Sequence, residues 1–302
     1  MTNPYPKYLK SAKNGKLKEK KQEAFERLVN CTLCPRNCKV NRLEGETGVC
    51  KTGVKAWISS YSPHFGEEAP LVGNHGSGTI FFTHCNLLCN FCQNYDISHE
   101  GNGVEVSDAQ LATFMLQLQK MGCQNINFVT PSHVIPQILS ALEIAVEDGL
   151  SVPLIYNTSA YDSVESLKLL YGVIDIYMPD FKFWNSEISQ KTCKAKNYPE
   201  KAKESIKEMH RQVGDLIIDQ NGIAKQGLLL RHLVLPHDLA NTRKIMRFIY
   251  QEISPNTYVN IMPQYRPCGT AFEIFELSSP LSQNDYKIAL QAAKEEGIIR
   301  LD

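Results

Sequence analysis

Three cysteines fall within eight residues, Cys85, Cys89 and Cys92, in the string His84-Cys85-Asn86-Leu87-Leu88-Cys89-Asn90-Phe91-Cys92. The C-x3-C-x2-C spacing can hold three corners of an iron–sulfur cube and leaves the fourth iron without a protein thiolate. Four cysteines close a cluster for electron transfer, whereas three leave one iron open to a substrate or cofactor. Structural zinc is the competing reading, but it normally needs a fourth ligand close by. His84 adjoins Cys85 and is badly placed for tetrahedral closure. A cluster with one open iron is therefore expected.

At 302 residues the chain can be one large domain or a domain with a small appendage. Its hydrophobic fraction of 43% and charged fraction of 21% are those of an ordinary globular protein. Lys+Arg and Asp+Glu both number 32, a balance that argues against nucleic acid or an anionic membrane as partner. No apolar run is long enough to span a bilayer, and the lysine-rich start lacks the core of a secretory signal. A cytoplasmic location is expected. In that reducing compartment the ten cysteines read as metal ligands before disulfides.

Four of these thiols form a second set, Cys31-x2-Cys34-Pro35-x2-Cys38-x11-Cys50. Such clustering suits either a structural zinc knuckle or an auxiliary iron–sulfur cluster, and the spacing leaves both open. Cys123, Cys193 and Cys268 are isolated and read as core or loop residues. His64, Glu67, Glu68 and His75 read as a polar surface loop, with the rim of a site as the alternative. Residues 1–25, rich in lysine, read as a solvated lead-in that turns helical toward Phe25 and Leu28. Residues 26–75 form the cysteine-rich segment, and residues 76–302 form the core with a C-terminal helix.

Apolar runs and helical patterns alternate through that core. Strands are expected at 79–83, 125–130, 152–157, 174–178, 228–235 and Tyr258–Met262, with helices at 108–121, 133–147, 164–171, 199–213 and 241–252. Ser107 and Gln110 make a capping box, while Gly122 and Gly149 sit where helices should stop. The alternation implies an α/β fold with a parallel sheet and right-handed crossovers. It does not separate an open sheet from a barrel. Polar residues gather where the strands end: Cys85, Thr130 with Ser132, Asn157 with Thr158, Asp180 with Lys182, and Gln264 with Tyr265. Active sites of parallel α/β folds collect at those ends.

The cysteine spacing, with the aromatic Phe91 before the third cysteine, resembles the radical S-adenosylmethionine (SAM) superfamily. Residues 76–82, 92–98, 177–182 and 231–236 resemble more closely the pyruvate formate-lyase activating enzyme family, in particular a branch with an N-terminal four-cysteine segment. The resemblance implies a partial (β/α)6 barrel of the radical SAM type with a small N-terminal cysteine-rich metal-binding segment. It also implies a 4Fe–4S cluster on Cys85, Cys89 and Cys92 and SAM on the open iron. In that family an electron from the cluster splits SAM into methionine and a 5′-deoxyadenosyl radical, which abstracts hydrogen from the substrate.

Matching the family residue by residue implies that Asn157 holds the SAM amino group and that Asp180 and Lys182 organise the methionyl end. Tyr265 falls near the ribose and adenine. Arg231 sits in an apolar run where a buried charge needs a partner, and a SAM carboxylate fits a guanidinium. Asn157 stands where the family has aspartate. Thr130-Pro131-Ser132-His133 replaces a glycine-rich string that meets SAM through backbone.

The expected activity is hydrogen abstraction from a protein or peptide, a glycyl-radical activase being one form. An electron donor such as flavodoxin or ferredoxin is implied. A radical SAM enzyme acting on a small molecule or another peptide is the alternative enzyme. A zinc-stapled protein- or RNA-binding module is the alternative outside catalysis.

Overall fold

The computed structural model describes residues 5–302. Ten strands and ten α-helices are distributed along it in the order expected of repeated β–α units. The strands are β1 (Ala56–His64), β2 (Ser77–Phe82), β3 (Val104–Val106), β4 (Ile126–Val129), β5 (Leu154–Thr158), β6 (Ile176–Pro179), β7 (Ile217–Ile218), β8 (Ala224–Leu233), β9 (Tyr258–Met262) and β10 (Arg300–Leu301). The helices are α1 (Lys7–Lys13), α2 (Lys16–Glu26), α3 (Ala69–Val72), α4 (Asp108–Lys120), α5 (Ile135–Glu147), α6 (Val164–Leu169), α7 (Ser186–Cys193), α8 (Tyr198–Val213), α9 (Thr242–Phe248) and α10 (Gln283–Glu295).

The six expected strands are β2, β4, β5, β6, β8 and β9, and they pair in parallel in that order. The sheet runs β10-β9-β8-β6-β5-β4-β2-β1-β3 without returning on itself, so the barrel is partial and open-sided. Four strands were missed from the sequence: β1, β3 and the two-residue β7 and β10. β1 runs antiparallel to β2, and β3 runs antiparallel to β1. The serines and proline within β1 hide its alternation, because that strand is only half buried.

Helix ends follow local chemistry. Ser107 and Gln110 form the capping box that starts α4. Gly122 and Gly149 take positive φ, +88° and +92°, where side chains are strained and helices stop. The last expected helix ends early: α9 gives way at Ile249 to a wider π turn through Ile253.

Two apolar cores build the barrel, beside a small cluster of Leu28, Cys31 and Leu33. The larger lies between sheet and helices, with Leu111, Met115 and Leu118 of α4 and Ile138, Leu139 and Leu142 of α5 fully buried. The smaller fills the barrel: Ile155, Ile176, Met178 and Leu229 point inward and meet Leu71 of α3. The chain that follows β1 thus enters the barrel and plugs it. Burying a side chain such as Leu71 contributes about 1.5–3 kcal/mol.

The lysine-rich start is corrected by the structure. Its two helices pack on α5 and α6 with Tyr8 and Leu17 buried. The Tyr8 hydroxyl donates to Val152 O at 2.8 Å, and the Lys7 amide donates to Asp175 Oδ1 at 2.9 Å. Lys10, Lys13, Lys16 and Lys18 are exposed, while Lys7, Lys20 and Lys21 reach Gln212 O, Lys168 O and Glu143, and a narrow apolar stripe holds the segment down, which composition alone hides. Among the described residues, no helix is long and apolar enough to cross a membrane.

Candidate active site

β2 delivers the chain to the three-cysteine loop through left-handed backbone at His84 (φ +60°), with a second such turn at Leu88 (φ +58°). The loop is tied on several sides. Asn86 Nδ2 donates to Tyr161 O at 2.7 Å, the Asn90 amide to Thr192 O at 2.9 Å, and the Thr270 amide to Asn90 O at 2.9 Å. Arg36, from the N-terminal Cys-Pro-Arg string, donates to the carbonyls of Asn86, Leu87, Cys193 and Lys194 at 2.5–2.9 Å. One guanidinium therefore gathers the cysteine loop and the end of α7.

Cys85, Cys89 and Cys92 line one cavity of about 390 Å³ at the strand ends, together with Phe91, Thr130, Asn157, Asp180, Lys182 and Arg231. The Asp180 carboxylate bridges two cations, accepting from Lys182 Nζ and Arg231 Nε, each at 2.7 Å. Arg231 Nη2 donates to Asn157 Oδ1 at 2.7 Å, and Nη1 lies 3.2 Å from Glu67 Oε2. The strand ends, distant in sequence, thus share one polar network.

Several expectations change here. Glu67 is no surface-loop residue: it lines the cavity, and Asn127 Nδ2 donates to its other oxygen at 3.1 Å. Glu68 is 5% exposed and accepts from Asn260 Nδ2 at 2.8 Å. His64 also lines the cavity, so this stretch belongs to the site. Arg231 finds its counter-charges in the protein, giving one N–H from each nitrogen to Asp180, Glu67 and Asn157, which leaves a second N–H on Nη1 and on Nη2 for a carboxylate ligand. Lys182 gives one of its three N–H donors to Asp180 and keeps two for a ligand.

Ser132 lies behind the wall, buried, with its hydroxyl 3.2 Å from that of Thr158. Tyr265 is corrected as well. Its hydroxyl donates to Leu277 O at 2.6 Å, and its ring packs 6.0 Å from that of Phe91, outside the cavity lining. Neighbouring Gln264 lines the cavity instead. Cys193 is not isolated: its thiol lies 3.4 Å from that of Cys89. It still does not line the cavity.

The electrostatics separate the carboxylates. Burial would raise Asp180, but the Arg231 and Lys182 charges overcome it and hold the carboxyl below its ordinary value. Burial raises Glu67, with Arg231 only partly offsetting it. Lys182 is buried, yet its partner Asp180 holds its pKa up. In the protein alone, burial pushes the Cys85 thiol up to about 12. A metal cation opposes that shift, since a coordinated thiol is deprotonated.

The four N-terminal cysteines also come together. Cys31, Cys34, Cys38 and Cys50 line a cavity of about 10 Å³ shared with Arg42 and His133. As the side chains stand, no three His, Cys, Asp or Glu among the described residues are gathered closely enough to hold a single metal ion. The arrangement at Cys85, Cys89 and Cys92 nevertheless suits a cluster, because these three thiols share a cavity with room for a multi-atom core and a ligand.

Residues 79–219 match the model of the radical SAM superfamily. An uncharacterized protein of Methanocaldococcus jannaschii, MJ0674, is 34% identical over 274 residues, covering 88% of this chain and 75% of that one. The chain belongs to the radical SAM superfamily. Membership implies a 4Fe–4S cluster and SAM-dependent radical chemistry. Among solved structures, HydG, a maturase of the [FeFe]-hydrogenase, superposes with a TM-score of 0.50 at 14% identity, covering 73% of this chain and 49% of that one. Methylornithine synthase (PylB) has a TM-score of 0.49 at 14% identity, covering 74% of this chain and 63% of that one. The chain spans about half the length of HydG, and at this identity the likeness concerns the fold.

Proposed function

We propose that this radical SAM protein takes a hydrogen atom from a protein or peptide substrate, with a backbone glycine as the position attacked. The observation that carries the reading is the sharing of one cavity by three thiols and the Asp180–Lys182–Arg231–Asn157 network. Cys85, Cys89 and Cys92 would hold the 4Fe–4S cluster. When bound and reduced, the cluster and SAM supply a carbon-centred radical.

The chain's own residues position and shield. Asp180 fixes Lys182, whose remaining N–H donors suit the carboxylate of an amino-acid moiety. Asn157 and Glu67 hold the Arg231 guanidinium against β5 and the barrel plug, so the cradle is set before a ligand arrives. Phe91, 4% exposed and edge-on to Phe183, keeps water from the base of the cysteine loop. Two further observations support a polypeptide substrate. The sheet is open along one side, where a chain segment can enter. Four sequence strings resemble a little-characterised branch of homologues of pyruvate formate-lyase activating enzyme. A flavodoxin- or ferredoxin-type electron donor and a cytoplasmic setting complete the proposal.

The test uses deuterium. Proteins from cells fed glycine deuterated at Cα are offered to the reconstituted enzyme with SAM and dithionite. The proposal expects deuterium in the 5′-deoxyadenosine formed. Product without deuterium would move the abstraction to another position or to a small molecule.

A further inference from the structure

We propose that Cys31, Cys34, Cys38 and Cys50 bind one zinc ion as a structural tetrathiolate site, not an auxiliary iron–sulfur cluster. Size is the first argument. Their shared cavity, about 10 Å³, has room for one ion, whereas a cubane core brings eight atoms. The catalytic cavity, about 390 Å³, marks the contrast.

Charge is the second. Arg42 is 1% exposed and lines this cavity. It donates to the carbonyls of Gly53 and His133, and Nη1 lies 4.0 Å from Cys31 Sγ. Among the described residues it has no carboxylate partner, and a buried unpaired charge is costly. Four thiolates around a divalent ion carry a net charge of −2, the counter-charge that Arg42 lacks.

Backbone geometry is the third. The Val49 amide donates to Cys38 Sγ at 3.4 Å. That amide stabilises negative charge on the Cys38 sulfur. Gly48 leaves the space that Cys38 occupies, for a Cβ there would sit 2.6 Å from its Sγ. All four thiols are free of disulfides. Their side chains do not yet converge as metal ligands, so binding requires rotation about χ1 between staggered wells. The ion takes four thiols as thiolates and releases four protons, with no change of oxidation state.

The test separates the two cysteine sets. The variant Cys85→Ala/Cys89→Ala/Cys92→Ala is produced in iron-rich medium and reconstituted anaerobically with iron and sulfide. Zinc, iron and sulfide per chain are then counted, and zinc-edge X-ray absorption is recorded. The expected result is about one zinc per chain with four sulfurs at about 2.3 Å. Adding Cys34→Ser should remove the four-sulfur signature. Iron in place of zinc, with or without inorganic sulfide, would overturn the proposal. So would zinc bound by nitrogen and oxygen. The spectrum of the triple variant decides even if Cys34→Ser does not fold.

Discussion

Glu67 Oε2 lies 3.2 Å from Arg231 Nη1, joining the barrel plug after β1 to the C-terminal end of β8. Both side chains are mostly buried, at 8% and 15% exposure. Arg231 is therefore the hub on which Asp180, Asn157 and Glu67 converge.

Removing the hub should be worse than removing a spoke. Arg231→Met leaves Glu67 buried without its cation and Asp180 with Lys182 alone, and should cost about 3–5 kcal/mol. Glu67→Gln leaves Arg231 with Asp180 and Asn157 and should cost less, about 1.5–3 kcal/mol. Urea unfolding of both variants checks the order.

Arg36 should act on the cluster without touching it. Lysine lacks the planar fork that reaches four carbonyls. Losing about 1 kcal/mol of loop anchoring corresponds to about fivefold faster opening. Arg36→Lys should therefore lose iron to a chelator about fivefold faster, while initial iron per chain stays unchanged. Equal rates would reduce Arg36 to a surface contact.

Tyr265 should matter to stability and not to SAM. Tyr265→Phe strips a donor from Leu277 O and should cost about 1 kcal/mol. Calorimetric titration should find SAM affinity within about twofold of wild type, since the hydroxyl lies outside the cavity lining. A larger loss would restore a role at the nucleoside.

Much of this arrangement was legible in sequence, for physical reasons. Parallel strands buried on both faces are near-continuous apolar runs, so all six could be located, and β9 fell on Tyr258–Met262 itself. The need of Arg231 for a partner was legible too, because a charge in an apolar run must be compensated. Its identity was not. Glu67 lies 164 residues away, in a stretch whose polarity suggests solvent. Cys193 meets Cys89 across 104 residues, a contact no local pattern encodes. Tyr265 and Gln264 are adjacent on the chain, and only the path after β9 decides which one faces the cavity.

Asp175 ties α1 to the barrel and gives stability a distinctive pH dependence. Burial raises its pKa from 3.8 to about 6, although the Lys7 and Leu154 amides donate to it. The folded state thus binds this proton more tightly than the unfolded state. Its contribution is fully present below about pH 4 and is lost as pH rises through about 6. The shift corresponds to about 3 kcal/mol. Relative to Asp175→Asn, wild type should lose about that much stability between pH 4 and 7 in urea titrations. A constant difference would contradict the assignment.

If Cys85, Cys89 and Cys92 support reductive cleavage of SAM, the anaerobically reconstituted protein should form 5′-deoxyadenosine with SAM and dithionite. Measured side by side, wild type and Cys193→Ala should both give product, and Cys89→Ala none above background. Equal product from wild type and Cys89→Ala, or none from a wild-type protein carrying a full cluster, would contradict that role for the three cysteines.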